Sequence, residues 1–305
     1  MTAITLLSPL SIPDGTDWTG LILRYLHILA GVTWIGMLYF FNLVNVNFQK
    51  EMTASLDPKS NHTQFTRLMP CALWWFRWGA MVTALTGFGY YLIFIHGTNA
   101  VQGGTGSVLL IWMAGFVIAW LINRRFIIEK LADAKSTPEA KAPDRGSLVG
   151  ALETLVLLGM VALFYAAFGD DVDGHVFFIS IGGGLGMIMF MNVWMLIWPN
   201  LRKVIAWREQ FLKDGTAVPP EAGKLARRAF LASRTNSWMS LFMLAFMVLA
   251  GHGASLWSQA EEDHSQHWAV TRKIHSALHR RKSSAPASAP APATAPAVPG
   301  SAPAK

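Results

Sequence analysis

Four of the nine histidines in this sequence stand within or at the ends of long apolar stretches. They are His27, His96, His175 and His252. A histidine in or near hydrocarbon is costly, and such residues usually serve a functional site. Because imidazole binds haem iron and also accepts protons from substrates, these histidines predict a site for a haem or for an anionic substrate.

His27 belongs to a stripe of residues that are spaced by three or four positions and therefore share one helix face. The stripe consists of Arg24, His27, Gly31, Trp34, Leu38, Asn42 and Asn45. Its polar members are expected to face the interior of a helix bundle, because lipid cannot satisfy their hydrogen bonds. Arg24 suits an anionic planar molecule or a haem propionate. Two alternatives remain open: His27 bonds the backbone of a neighbouring helix, and Arg24 reaches to the membrane surface.

The last apolar stretch places His252 between two glycines, which leave room for a bulky planar group or for close helix packing. Counted along the helices from the nearest interfacial tryptophans, His27 and His252 lie at similar depth, as two axial haem ligands must. His96 and His175 lie at the ends of their stretches. They form a second, shallower pair or are simply interfacial histidines exposed to water.

These side chains are positioned by six apolar stretches, each long enough to cross a bilayer as a helix. The stretches are about 19–44, 73–96, 106–123, 148–168, 175–199 and 237–257. Hydrophobic residues make up 52% of the chain and charged residues 14%, whereas a soluble protein carries about 25% charged residues. The sequence therefore predicts an all-α polytopic membrane bundle of about six transmembrane helices.

The charges outside the apolar stretches predict the orientation of the bundle. Basic residues concentrate in 124–147 and 200–236, whereas 169–173 is acidic. Basic loops stay in the cytoplasm, so 45–72 and the two basic loops are predicted inside, with both termini and all four histidines on the periplasmic side. The net charge of +7 thus reflects membrane topology and gives no reason to expect nucleic-acid binding.

Three parts follow from composition: a helical membrane domain over 1–258, a polar periplasmic segment over 259–282, and a disordered Ala/Pro-rich tether over 283–305. In the first part, 45–72 is expected to hold an amphipathic piece on the cytoplasmic surface. Residues 201–213 are expected to extend the fifth helix, and 215–220 to break it before a basic helix over 221–234.

Several other residues bear on the chemistry. Arg77 and Glu153 are intramembrane charges of opposite sign, which are expected to pair or to line a proton path. Asn192 is expected to bond across helices, and the glycines of 182–186 to allow close packing. Cys71 is the single cysteine, so no internal disulfide forms, and the CxxCH motif for covalent haem attachment does not occur.

Four stretches of this sequence resemble the urate hydroxylase (urate oxidase) N-terminal membrane domain family. They are RYLHILAGVTWIGMLYFFN at 24–42, WWFRWG at 74–79, NVWMLIWPN at 192–200 and SRTN at 233–236, followed by the span that ends at His252. The resemblance covers most of 18–257. It implies a multi-pass protein of the bacterial inner membrane, active in purine catabolism, which oxidises urate to 5-hydroxyisourate and passes electrons to cytochrome c.

Many members of that family carry a C-terminal cytochrome c domain in the periplasm. Because this chain has no CxxCH, its acceptor is expected to be a separate periplasmic cytochrome c or a domain missing beyond the tether. On this interpretation His27 and His252 ligate the iron of haem b as an electron relay. The substrate is then left to Arg24 with His96 or His175.

The same interpretation predicts a urate pocket lined by Arg24, Trp34 and Asn42. Two other functions stay open. One is a haem b electron-transfer subunit that serves another oxidoreductase. The other is a small-molecule transporter, although the sequence shows neither a clear inverted repeat nor broken helices in matching positions.

Overall fold

The computed structural model describes residues 15–55, 57–96, 105–129, 152, 155, 157–163 and 174–252. No strand occurs among them, so the all-α prediction is confirmed for this part of the chain. Two stretches, Asp17–Ser55 and His175–Asp214, are long and apolar enough to cross a membrane. The count of six spans and the periplasmic placement of both termini stay predictions.

Two long antiparallel rods make up the first half of the described bundle. Their elements are α1 (Gly15–Tyr39), a π-helical turn π1 (Phe40–Asn45), α2 (Val46–Ser55), α3 (Pro58–Tyr90) and a second π-helical turn π2 (Tyr91–His96). Asp57 caps α3, because its Oδ1 accepts a hydrogen bond from the Ser60 amide at 3.0 Å. Pro58 stands in the first turn of α3, where its missing N–H costs nothing.

The second half of the described bundle is also built from long helices. Its elements are α4 (Thr105–Ile122), π3 (Asn123–Glu129), helical residues within 157–163, α5 (Gly174–Asn192), π4 (Val193–Ile197), α6 (Trp198–Asp214) and α7 (Glu221–His252). Helix α6 ends at Gly215, which adopts a left-handed conformation with φ 77°. The predicted extension of the fifth helix and the break before a basic helix are therefore confirmed.

The segment 45–72 continues the first two rods as α2 and the N-terminal half of α3. Its expected position on the cytoplasmic surface stays a prediction. The α3 extension packs on α6, where the His62 ring lies 4.7 Å from that of Phe211 and the Arg208 guanidinium lies 3.9 Å from that of Phe65. Polar residues that favour helices continue both helices beyond their apolar parts. Asp57, the N-cap of α3, marks the boundary between α2 and α3.

Glycines let the helices approach closely. A Cβ on Gly79 of α3 would lie 3.2 Å from the Trp34 backbone nitrogen of α1. A Cβ on Gly182 of α5 would lie 3.2–3.4 Å from side-chain atoms of α7, and the Phe116 ring of α4 lies over Gly184. The predicted close packing around 182–186 is confirmed, since a larger side chain at either position would push the helices apart.

Candidate functional site

His27 lies in the interface between α1 and α3. Its Nδ1 is 2.9 Å from the carbonyl oxygen of Thr83. A carbonyl can only accept a hydrogen bond, so Nδ1 carries the proton and Nε2 presents its lone pair. The expected alternative, a bond to a neighbouring backbone, is therefore present. It is compatible with ligation, because metal-bound histidines usually donate their other N–H to a carbonyl or carboxylate.

The His27 ring fits against α3 because position 87 has no side chain. A Cβ on Gly87 would lie 2.6 Å from Cε1 of His27 and 2.8 Å from its Nδ1. Sequence reasoning missed this residue. The available signal was a Gly-Phe-Gly segment at 87–89 inside an apolar stretch, where a glycine often marks a close approach.

Arg24 shares this interface with His27, one turn nearer the N-terminus of α1. Its guanidinium carbon lies 5.2 Å from the ring centre of Tyr90, and its Nε donates to the Gly20 carbonyl at 3.4 Å. The side chain is otherwise exposed. An exposed arginine on an aromatic ring can attract an anion to this end of the bundle, but water screens its charge.

His175 makes the same kind of bond as His27. Its Nδ1 donates to the Ala250 carbonyl at 2.7 Å. Ala250 lies near the C-terminal end of α7, so this hydrogen bond joins α5 to α7. Because Nδ1 carries the proton, Nε2 of His175 also presents a lone pair.

His27 and His175 lie at the same end of the bundle. The Tyr39 hydroxyl is 3.0 Å from that of Ser240, which fixes α1 and α7 at one level. His27 is twelve residues from Tyr39, and Ala250 is ten residues from Ser240, or about 18 and 15 Å along their helices.

His96 and His252 end π2 and α7, and their side chains lie outside the described residues. The haem pair His27–His252 and the catalytic role of His96 therefore stay predictions.

Buried polar residues lie away from the end of the bundle that holds His27 and His175. Asn42 donates through Nδ2 to the Leu38 carbonyl at 2.9 Å and to the Ser233 hydroxyl at 2.8 Å. Its Oδ1 is buried with no hydrogen-bond partner among the described residues. Asn42 of the first-helix stripe therefore faces the interior of the bundle, as its spacing predicts, and the structure gives α7 as its partner.

A second polar chain crosses three helices. Trp120 Nε1 donates to Asn192 Oδ1 at 3.0 Å, Asn192 Nδ2 donates to Asn236 Oδ1 at 2.8 Å, and Asn236 Nδ2 donates to the Met189 carbonyl at 2.9 Å. The two asparagines are fully buried. The prediction that Asn192 bonds across helices is confirmed.

Arg77 stacks on Trp198, with its guanidinium carbon 3.9 Å from the ring centre. The neighbouring Trp78 meets Trp194 edge-on at 5.8 Å between centroids. Arg77 Nε and Trp194 Nε1 are both buried with no hydrogen-bond partner in the described part of the chain. Glu153, the expected partner of Arg77, lies outside it.

The sequence from residue 14 to residue 279 matches the family described as urate oxidase N-terminal. The chain belongs to this family. The match spans every helix given above. No curated protein and no solved structure matches the chain.

The stretches that carry the resemblance to the urate oxidase N-terminal family converge in three dimensions. Their contacts are Trp34 with Gly79, Asn42 with Ser233, Asn192 with Asn236, and Arg77 with Trp198. These contacts join α1, π1, α3, α5, α6 and α7, and each contact except that of Trp34 with Gly79 is made by polar or aromatic side chains.

The predicted urate pocket divides between two levels of the bundle. Arg24 and Asn42 are eighteen residues apart on one continuous helix, which separates them by about 27 Å. No molecule of the size of urate contacts both. Trp34 lies between them, buried, with an Nε1 that has no hydrogen-bond partner among the described residues.

Proposed function

We propose that this chain is the membrane-embedded part of an enzyme that oxidises urate to 5-hydroxyisourate and passes the electrons to a periplasmic cytochrome c. The observation that carries the proposal is the match of residues 14–279 to the urate oxidase N-terminal family. The polar and aromatic contacts at which the family's stretches meet support it, because such groups suit a planar, hydrogen-bonding anion.

The outward surface of the helices supports a place in the bacterial inner membrane. On α1, Leu21 is 53% exposed, Ile28 64% and Val32 68%, and α3, α4 and α7 also turn large apolar side chains outward. Only 17% of the most apolar window of Asp17–Ser55 is buried, and this exposure of an apolar helix supports contact with lipid. A continuous apolar exterior is stable in lipid and would aggregate in water.

The reaction fixes what the site must supply. Urate and water give 5-hydroxyisourate, two protons and two electrons, and two ferric cytochrome c molecules take one electron each. A base is needed for the protons. In His27 and His175 the protonated nitrogen is Nδ1, which donates to a backbone carbonyl. Nε2 of each ring can therefore accept a proton.

His27 would also hold haem b, with His252 as the second ligand. The Thr83 carbonyl fixes the His27 tautomer and ring orientation, as hydrogen-bond partners of metal-bound histidines do. Arg24, one turn away, would pair with a propionate. When bound, haem b accepts and releases single electrons, and His96 or His175 then serves as the base.

The test is urate consumption by the purified protein with added ferric cytochrome c. The expected result is two cytochrome c molecules reduced per urate consumed. A protein that neither binds nor consumes urate would overturn the proposal. A haem spectrum without urate turnover would instead indicate an electron-transfer subunit, and urate uptake into vesicles without cytochrome reduction would indicate a transporter.

A further inference from the structure

A groove with a volume of about 740 Å³ lies between α2 and the N-terminal half of α3. Two cations, three neutral hydrogen-bonding residues and two apolar residues line it. They are, in that order, Lys59 and Arg67, Ser60, Thr63 and Gln64, and Phe48 and Leu68. No acidic side chain of the described residues lines the groove. The lining therefore suits an anion that also carries an apolar part.

Two contacts set the register of α2 against α3 on either side of the groove. Nearer the bundle, Asn45 Nδ2 lies 4.0 Å from Sδ of Met69. At the far end, Asn61 Nδ2 donates to the Thr53 hydroxyl at 3.1 Å. Both contacts follow one antiparallel register, so Phe48 lies at the end of the groove nearer the bundle.

The groove consequently has an apolar end and a polar end. Phe48 and Leu68 form the apolar end, beside Arg67. Lys59 and Ser60 form the polar end, and Lys59 lies nine residues before Leu68, or about 14 Å along α3. A ligand that fills this groove is therefore an amphiphile with its charge close to its apolar part.

The apolar end of the groove lies where the apolar exterior of the bundle stops. Leu43 and Val44 on the first rod and Trp74 and Trp75 on the second are all exposed. Beyond these tryptophans, the first charged residue of the second rod is Arg67, about 11 Å along α3 from Trp74. Tryptophans favour the interface between membrane and water. In the proposed membrane, Arg67 is therefore on the headgroup side of this boundary.

The positive charge of the groove is least compensated at Arg67. Its side chain is exposed and makes no hydrogen bond or ion pair with the described residues. Gln64, one turn before it, has a buried Oε1 with no partner there. At the other end Asp57 stands two residues before Lys59, with its carboxylate oxygens 3.0 and 2.7 Å from the Ser60 amide and hydroxyl. An anion is therefore held best at the end that contains Arg67.

We propose that this groove binds the headgroup of an anionic phospholipid. Its phosphate meets Arg67 and Gln64, and its first acyl carbons meet Phe48 and Leu68. A guanidinium can pair two N–H groups with two phosphate oxygens, and basic pockets at the ends of membrane helices bind anionic headgroups. A free phosphate would leave the apolar end without a partner, which favours the lipid.

The experiment is native mass spectrometry of the full chain in detergent, with phosphatidylglycerol or phosphatidylcholine of the same acyl chains added. The unaltered protein is expected to retain phosphatidylglycerol in preference. Arg67→Gln is expected to weaken this binding about fivefold, the effect of one basic residue at an anionic membrane surface. Lys59→Gln is expected to weaken it less, because Asp57 already offsets part of the charge of Lys59.

Arg202→Gln is the matched control. Arg202 is an exposed arginine on α6, four residues after Trp198, and it does not line the groove. The change is expected to weaken phosphatidylglycerol binding less than about twofold, because water and salt screen a charge that does not touch the lipid. The side chains of Lys59, Arg67 and Arg202 are all exposed, so each variant is expected to keep the melting temperature of the unaltered protein.

Three results would overturn the lipid site. Equal retention of phosphatidylglycerol and phosphatidylcholine would show that the groove does not select an anionic headgroup. Equal losses in Arg67→Gln and Arg202→Gln would show attraction by diffuse surface charge. If inorganic phosphate alone binds as tightly as phosphatidylglycerol, the groove is a site for the free anion.

This inference rests on the membrane location in the proposed function and is independent of urate turnover. If the chain is recovered from cells in the soluble fraction, the location fails and the lipid site fails with it. If the chain is recovered in membranes but shows no preference for phosphatidylglycerol, only the lipid site fails. A membrane-bound chain that selects phosphatidylglycerol through Arg67 but does not consume urate would overturn the proposed activity and support the lipid site.

Discussion

His27 donates to the carbonyl oxygen of Thr83 across the interface of α1 and α3, with its Nδ1 2.9 Å away. The ring occupies the space that Gly87 leaves open one turn along α3. One hydrogen bond and one missing side chain thus fix both the tautomer and the orientation of this histidine. Whatever meets Nε2, whether a proton or iron, finds a ring that is already in place.

Gly87→Ala is expected to displace His27. The new Cβ would lie 2.6 Å from Cε1, so the ring must move and lose its bond to Thr83. Overpacking of this kind costs about 1–3 kcal/mol in the free energy of unfolding, which denaturant titration in detergent measures. Gly89→Ala is the control, because a Cβ there meets no atom within 4 Å.

The same clash can be assigned to His27 by a double variant. In a His27→Ala background the obstacle is gone, so Gly87→Ala is expected to cost almost nothing. An unchanged cost in that background would show that the destabilisation has another source.

The haem proposal predicts a Soret band in the purified protein that shifts on reduction with dithionite. His27→Ala and His252→Ala are each expected to lose most of the bound haem, because each removes one of the two proposed ligands. Haem extracted and quantified per protein is the measurement. A protein without a Soret band refutes the haem proposal, and full haem content in both variants refutes the ligand assignment.

Asn192→Leu is expected to lower the free energy of unfolding by about 1–3 kcal/mol. The change leaves Trp120 Nε1 and Asn236 Oδ1 buried without their partner. Asn47→Leu, an exposed asparagine on α2, is the control and is expected to change stability by about 0.5 kcal/mol or less.

The coupling between the two asparagines gives a second readout. The double variant Asn192→Leu/Asn236→Leu is expected to lose less free energy of unfolding than the sum of the two single variants. In the double variant neither asparagine is left buried without its partner. Strict additivity would contradict the network.

Acid is expected to destabilise the packing of the N-terminal half of α3 on α6, where the His62 ring lies against that of Phe211. Burial, and then the nearby positive charge of Arg208, hold the pKa of His62 below its ordinary value. The folded state therefore binds this proton less readily than the unfolded chain does. The contribution of His62 to the free energy of unfolding is fully present above its unfolded pKa of about 6.5. It declines as the pH falls towards the lower pKa of His62 in the folded protein.

His62→Gln removes this titration and leaves the other histidines in place. Its melting temperature in detergent is expected to fall less than that of the unaltered protein when the pH is lowered through the range in which His62 titrates. Equal losses would mean that His62 does not carry the pH dependence.

The sequence by itself determined the helices and much of their local chemistry. Apolar runs of about twenty residues form helices because a backbone shielded from water must satisfy its own hydrogen bonds. Gly215 ends α6 because it adopts φ 77°, which most residues avoid. The three-and-four spacing of the first-helix stripe placed Trp34, Leu38 and Asn42 on a buried face.

Only the tertiary structure decided which faces meet. The spacing put His27 and Arg77 on their helices, but it could not name Thr83, Gly87 or Trp198 as their partners. Partners so far apart in the chain are chosen by how helices rotate and slide in packing, and helical periodicity does not encode that. A backbone carbonyl such as that of Thr83 also looks the same at every position of the sequence, so it becomes a specific partner only when packing brings a donor to it.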